Sequence, residues 1–88
     1  MAFQVHNALG FAYFSMEKPA LAIDNYKKAV EMQPGYVTAW NNLGNAFEKA
    51  RDWKQAYEAY SEALSYAPDN KVAREKSDSL RTRAQASA

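Results

Sequence analysis

The chain repeats itself at an offset of 34 residues. Sliding residues 3–36 onto 37–70 superposes Leu9-Gly10 on Leu43-Gly44 and Tyr13 on Phe47. The same shift lays Ala22 on Ala56, Tyr26 on Tyr60, Ala29 on Ala63 and Pro34 on Pro68. A period of about 34 residues is that of a helix–turn–helix unit that cannot bury its apolar face alone and stacks on its neighbours. Function is then expected in the surface that stacking creates.

The pattern predicts five helices. The first covers about Phe3 to Met16, and the second starts at Pro19, whose missing N–H costs nothing in a first helical turn. It runs to about Gln33 and is closed by Pro34-Gly35. The third spans about Val37 to Ala50. Asp52 with Gln55 three residues on resembles a capping box for the fourth, which ends before Pro68. Asp69 or Asn70 can cap the fifth, from Lys71 to about Ala84. Inside the units, apolar residues recur at spacings of three and four, as in Leu21, Ala22, Tyr26, Ala29 and Val30. Gly10, Gly44, Ala22, Ala56, Ala29 and Ala63 fall where two helix backbones must approach, with Tyr13, Phe47, Tyr26 and Tyr60 filling the space between. The organisation read from this is one repeat over 3–36, a second over 37–70, and a capping helix with its tail over 71–88.

Composition removes several function classes. A net charge of +1 gives no field to recruit nucleic acid or anionic lipid, and the absence of cysteine excludes disulfides and thiolate chemistry. No stretch approaches the ~20 apolar residues of a membrane span. His6 is the single histidine and occupies a packing position, so it reads as a core or interface imidazole rather than a base. No phosphate loop or nucleophile elbow is present. Asp24, Glu31, Glu58 and Glu62 read as solvated faces with i,i+4 pairing, Asp24 with Lys28 for instance. We therefore expect no enzyme activity, no catalytic or metal residues and no cofactor. Met1-Ala2 leads straight into helix-like sequence, from which we expect the chain to be a piece of a longer protein.

The second unit reads Trp40, Leu43, Gly44, Phe47, Ala56, Tyr60, Pro68, and the first His6, Leu9, Gly10, Tyr13, Ala22, Tyr26, Pro34. This resembles the tetratricopeptide repeat (TPR) family over residues 3–70, and implies an all-α solenoid of two helical hairpins with a C-terminal capping helix. Ser77, Asp78 and Arg81 depart from the pattern, as a polar cap would. The run Trp40 to Lys49, with Pro68-Asp69-Asn70-Lys71-Val72-Ala73-Arg74 and Leu80, is similar to the end of a chloroplast TPR family of thylakoid-associated photosystem I assembly factors. That resemblance implies photosystem I subunits or other assembly factors as partners, at the stromal face of the thylakoid.

In TPR arrays the first helix of each pair lines the binding groove. Carried over, this gives Gln4, Asn7, Phe11, Phe14 and Ser15 in the first unit and Thr38, Asn41, Asn45, Glu48 and Lys49 in the second. The last helix could add Val72, Glu75, Ser79 and Arg83. The family's two-carboxylate clamp for chaperone C-termini needs lysine at Asn7, asparagine at Phe11 and at Asn42, lysine at Val72 and arginine at Lys76. Only Asn42 matches, and a lysine cannot supply the bidentate fork of an arginine.

The first helix is apolar on nearly every side, which a terminal helix facing water should not be. Phe3, Val5, Ala12 and Met16 are therefore expected to meet an upstream repeat or a second copy in a homodimer. The leading reading is a non-catalytic protein-interaction scaffold of photosystem I assembly. The alternatives are a generic peptide- or chaperone-docking module and a self-associating segment of a larger protein.

Overall fold

The computed structural model describes residues 2–86 and forms five α-helices: α1 (Phe3–Ser15), α2 (Pro19–Met32), α3 (Val37–Lys49), α4 (Trp53–Tyr66) and α5 (Lys71–Ala86). Met1 and, in the predicted tail, Ser87 and Ala88 lie outside the described residues. The fold is the expected all-α solenoid: α1 packs on α2, α3 on α4, and the two hairpins join through α2 on α3, with α5 closing over α4.

The turns inside the two hairpins are copies of one another. Glu17 and Arg51, 34 positions apart, are the two non-glycine residues at positive φ among the described residues (59° and 63°). Around each, a long backbone bond closes the helix, from Lys18 N–H to Tyr13 O and from Asp52 N–H to Phe47 O, both 2.9 Å. A shorter one accompanies it, from Glu17 N–H to Phe14 O and from Arg51 N–H to Glu48 O. This is the Schellman closure, which normally takes glycine at the left-handed position. The next helix then starts at Pro19 in one unit and after Asp52 in the other. Asp52 Oδ1 accepts from Gln55 N–H, but the Gln55 amide donates back to the Asp52 carboxylate at 3.2 Å rather than to backbone. Asn70, not Asp69, caps α5, its Oδ1 accepting from Ala73 N–H at 2.9 Å.

Small residues set the helix spacing. Ala22, Ala29, Ala39, Ala46, Ala56, Ala63 and Ala73 are fully buried. Tyr26 and Tyr60 each lie flat over a glycine: a Cβ on Gly10 or Gly44 would stand 2.6 Å from the ring. The glycines are there because a tyrosine ring occupies the place of a side chain. The buried tyrosines and alanines form one cluster with Leu43, Phe47 and Leu80.

The two ends differ as the sequence indicates, with one correction. On α3 the face toward α2 carries Ala39, Leu43 and Ala46, at 0, 3 and 0% exposure, whereas their α1 equivalents Val5 and Leu9 are 42 and 36% exposed and Ala12 is also exposed. Met16 extends the stripe at 57%. Phe3, expected on this edge, is instead half-buried, its ring meeting Tyr36 edge-on at 5.0 Å. Leu9 takes its place in the stripe. On α5, Ala73, Ser77, Leu80 and Ala84 face the core, while Val72 is 49% exposed.

Candidate functional site

The groove face is built on α1 and α3, with α5 beside them, and is tied together by asparagines. Asn42 Nδ2 donates to Asn7 Oδ1 at 3.0 Å, and Asn7 Nδ2 donates to the Tyr36 hydroxyl at 3.4 Å. Asn41 Nδ2 donates to Asn70 Oδ1 at 3.2 Å. Asn7 and Asn41 occupy the same place in successive repeats, and both first hold the structure together. Among the buried side-chain polar atoms of the described residues, Asn41 Oδ1 is left without a partner.

The repeat offset explains that orphan. In the first unit the acceptor Asn7 Oδ1 is served by Asn42. The residue equivalent to Asn42 in the next helix is Lys76, and its ammonium is drawn away to Glu48 Oε2 at 3.3 Å. An unsatisfied buried acceptor costs on the order of 1–3 kcal/mol.

Glu48 also receives the Tyr60 hydroxyl at 2.7 Å, and Asn45 Oδ1 stands 2.6 Å from the same hydroxyl. A phenol has one proton to give, and the carboxylate is the stronger acceptor. An Asn45 carboxamide turned with its NH2 toward the phenol oxygen satisfies all three groups. Burial, followed by the bond to Glu48 and its charge, raises the Tyr60 pKa well above the ordinary tyrosine value. Burial alone pushes Tyr26 up to about 12.

At the positions of Asn45 and Glu48 the first unit carries Phe11 and Phe14. Phe11 is 61% exposed, whereas Phe14 is half-buried and packed against the core. The groove thus has an apolar half on α1 and a charged, hydrogen-bonded half where α3 meets α5. Gln4, Ser15, Thr38 and Lys49 are exposed on their helices. Of the candidates on α5, Val72, Glu75 and Ser79 are exposed, but Arg83 leaves the groove: its guanidinium lies 4.6 Å from the Trp53 ring centroid at the start of α4. Tyr60 was missed as a member of this site, and Lys76 entered the sequence reading only as a clamp position. The signal for Lys76 was its register with Asn42.

His6 Nδ1 stands 3.4 Å from Asn25 Oδ1, a contact that ties α1 to α2 and calls for the Nδ1–H tautomer. No group of three or more His, Cys, Asp or Glu is placed to hold a metal ion among the described residues. Among those residues, no helix is long and apolar enough to cross a membrane.

Two stacked helical hairpins, a groove on the first helices and a closing helix define a protein-interaction solenoid. The tetratricopeptide repeat family model matches residues 3–36 and 37–70, and the chain belongs to that family. It is 49% identical, over 91% of its length, to the tetratricopeptide repeat domain-containing protein PYG7, chloroplastic, of Arabidopsis thaliana. It is 35% identical over 84% of its length to the uncharacterized protein ycf37 of Pyropia yezoensis, and 33% over 80% to that of Porphyra purpurea. The chain spans 27% of the first relative and 42% and 40% of the other two. Among solved structures it is similar to the first TPR of Spaghetti (RPAP3) bound to the HSP90 peptide SRMEEVD. There the TM-score is 0.86 at 22% identity, covering 92% of this chain and 64% of that one. At that identity the likeness is one of fold.

Proposed function

We propose that this chain is the repeat module of a non-catalytic scaffold in photosystem I assembly. It holds photosystem I subunits or other assembly factors at the stromal face of the chloroplast thylakoid. The observation that carries the reading is a groove with exposed Phe11 on its α1 half and the partly exposed Glu48–Lys76 pair on the other. It sits on a chain nearly half identical to a protein named as chloroplastic. An extended peptide laid across it gains an apolar anchor contact at Phe11 and polar partners on the α3–α5 half. The groove lacks what a chaperone carboxylate would need. Asn42 is spent on Asn7, Lys76 is spent on Glu48, and neutral Asn7 stands where a lysine is required.

Immobilised chain should retain photosystem I subunits or assembly factors from solubilised thylakoids, read by immunoblot, and the Asn41→Ala/Asn45→Ala variant should lose them. Equal capture by that variant, with its fold intact by circular dichroism, overturns the groove assignment. Failure of the parent chain to retain any of them removes the photosystem reading.

A second reading rests on the exposed stripe Val5, Leu9, Ala12 and Met16; the α3 counterparts of the first three, Ala39, Leu43 and Ala46, are buried. This edge accepts a further helix, either of an adjoining repeat or of a second copy. Light scattering should show concentration-dependent association that Val5→Glu abolishes. A monomer at all concentrations removes the homodimer.

A further inference from the structure

On the face opposite the groove, α2 and α4 flank α3 and leave a cleft of about 740 Å3 between them. Its floor is apolar, formed by Val30, Leu43 and Phe47, and its aromatic walls are Trp40 and Tyr57. The Trp40 ring is fixed in place by its Nε1–H, which donates to Pro34 O at 2.6 Å. A cleft of this size, with an apolar floor and a few polar groups on its rim, is the ordinary form of a ligand site. The groove candidates Asn41, Asn45 and Glu48 point away from it on the other side of α3, so no residue of the site described above contributes.

The rim charge is one-sided. Glu31 on α2 and Glu58 and Glu62 on α4 line the cleft against the single cation Lys27. Lys27 is already engaged, its ammonium lying 5.7 Å from the Phe47 ring centroid. The three carboxylates are in none of the ion pairs of the described residues, which join Lys28 to Asp24, Lys76 to Glu48 and Arg81 to Asp78. Glu58 and Glu62 stand four residues apart on one helix face, a like-charge placement that costs α4 a few tenths of a kcal/mol unless a cation comes between them.

We propose that this cleft is a second docking site, for a short segment of a partner protein that carries an apolar side chain flanked by lysine or arginine. The apolar side chain covers Val30, Leu43 and Phe47. The flanking cations meet Glu31 across the cleft from Glu58 and Glu62. A peptide held here leaves the groove open, so one module binds two chains at once, and this site stands independently of the groove reading.

The test is an NMR titration of the 15N-labelled chain with the capped peptide Lys-Lys-Leu-Phe-Lys-Lys and its counterpart Glu-Glu-Leu-Phe-Glu-Glu. The basic peptide should shift the Trp40 indole N–H and the amides of Val30, Glu58 and Ala59 saturably, and the acidic one should not. Glu31→Gln with Glu58→Gln and Glu62→Gln should raise its Kd about tenfold, as loss of partly exposed ion pairs does. These side chains have no partners to lose, and circular dichroism checks that the fold is kept. Asn41→Ala with Asn45→Ala should leave the binding unchanged, which separates this site from the groove. Equal binding of the acidic peptide overturns the proposal, as does unchanged affinity in the glutamine variant. So do shifts confined to Asn41 and Asn45, or Trp40 shifts that depend on protein concentration without peptide.

Discussion

Tyr26 and Tyr60 are the same residue in successive repeats, equally buried at 1 and 0% exposure and equally pressed against a glycine. They differ only at the hydroxyl. That of Tyr60 reaches Asn45 and Glu48, whereas that of Tyr26 faces a repeat carrying Phe11 and Phe14 in those places and has no partner among the described residues. Removing the two oxygens should therefore have different consequences. A hydrogen bond to a charged group contributes about 1.5–3 kcal/mol. Glu48 keeps Lys76 after the change and its side chain is 22% exposed, which places Tyr60→Phe around the lower end of that range, at about 1–2 kcal/mol. Tyr26→Phe loses no partner and should fall within about 0.5 kcal/mol of the parent. For a domain of this size 1 kcal/mol moves Tm by about 4–8 °C. Thermal and urea unfolding followed by far-UV circular dichroism should thus show Tyr60→Phe melting roughly 5–15 °C lower and Tyr26→Phe almost unmoved. Equal losses would refute the reasoning, since they would assign the cost to the ring's packing. Adding Glu48→Gln to Tyr60→Phe should cost less than the sum of the two single changes, because the groups act as a unit.

Four further outcomes are read from stability. Gly44→Ala forces a Cβ to 2.6 Å from the Tyr60 ring. Overpacking of about 1–3 kcal/mol exceeds the gain of about 1 kcal/mol in helix propensity, so the urea midpoint should fall. Gly35→Ala, whose nearest neighbour would be Tyr66 at 3.9 Å, should stay within about 0.5 kcal/mol of the parent. Glu17→Gly relieves a left-handed residue at φ 59° and should raise stability by about 0.5–1 kcal/mol, visible as a higher urea midpoint. In alkali, Tyr26 keeps its proton to about 12 when folded but loses it near pH 10 when unfolded, so the unfolded state binds fewer protons between these values. Stability is then intact below about pH 10 and falls above it, Tyr26 and Tyr60 each contributing up to about 1.4 kcal/mol per pH unit, and Tyr26→Phe should reduce the slope in a pH series of urea melts while leaving the share of Tyr60.

Most of the scaffold was legible because the 34-residue period carries it. The glycine–tyrosine contacts, the Pro19 start and the buried alanines all follow from residues with few other uses. The left-handed turns did not show, since Glu17 and Arg51 are not glycines and the backbone bonds that enforce them are set by their neighbours. The site was legible only as a face. Helical spacing places Asn41 and Asn45 on one side of α3, but pairing depends on distances across helices, and these decide which amides are spent. Thus Asn7 closes on Asn42 and Tyr36, and Arg83 settles over Trp53 instead of the groove. Phe3 was placed by the same face argument, yet the turn carrying Tyr36 folds back to meet it, which no spacing within α1 encodes.

Positions that hold the helices together are the same in both repeats, and positions that face a partner are not. Ala22, Tyr26 and Ala29 return as Ala56, Tyr60 and Ala63 because the spacing between helices admits no other volumes. Phe11 gives way to Asn45 without loss of packing, since it stands 61% exposed, whereas the exchange of half-buried Phe14 for Glu48 trades a core contact for the bonds to Tyr60 and Lys76. The Glu48–Lys76 pair goes one step further. By drawing Lys76 toward Glu48 it withdraws the donor that would otherwise close Asn41 Oδ1, so the network that stabilises α5 also leaves that buried acceptor unanswered. On the proposed groove reading, substituting Lys76 therefore bears on binding and stability together, whereas substituting Phe11 bears on binding alone.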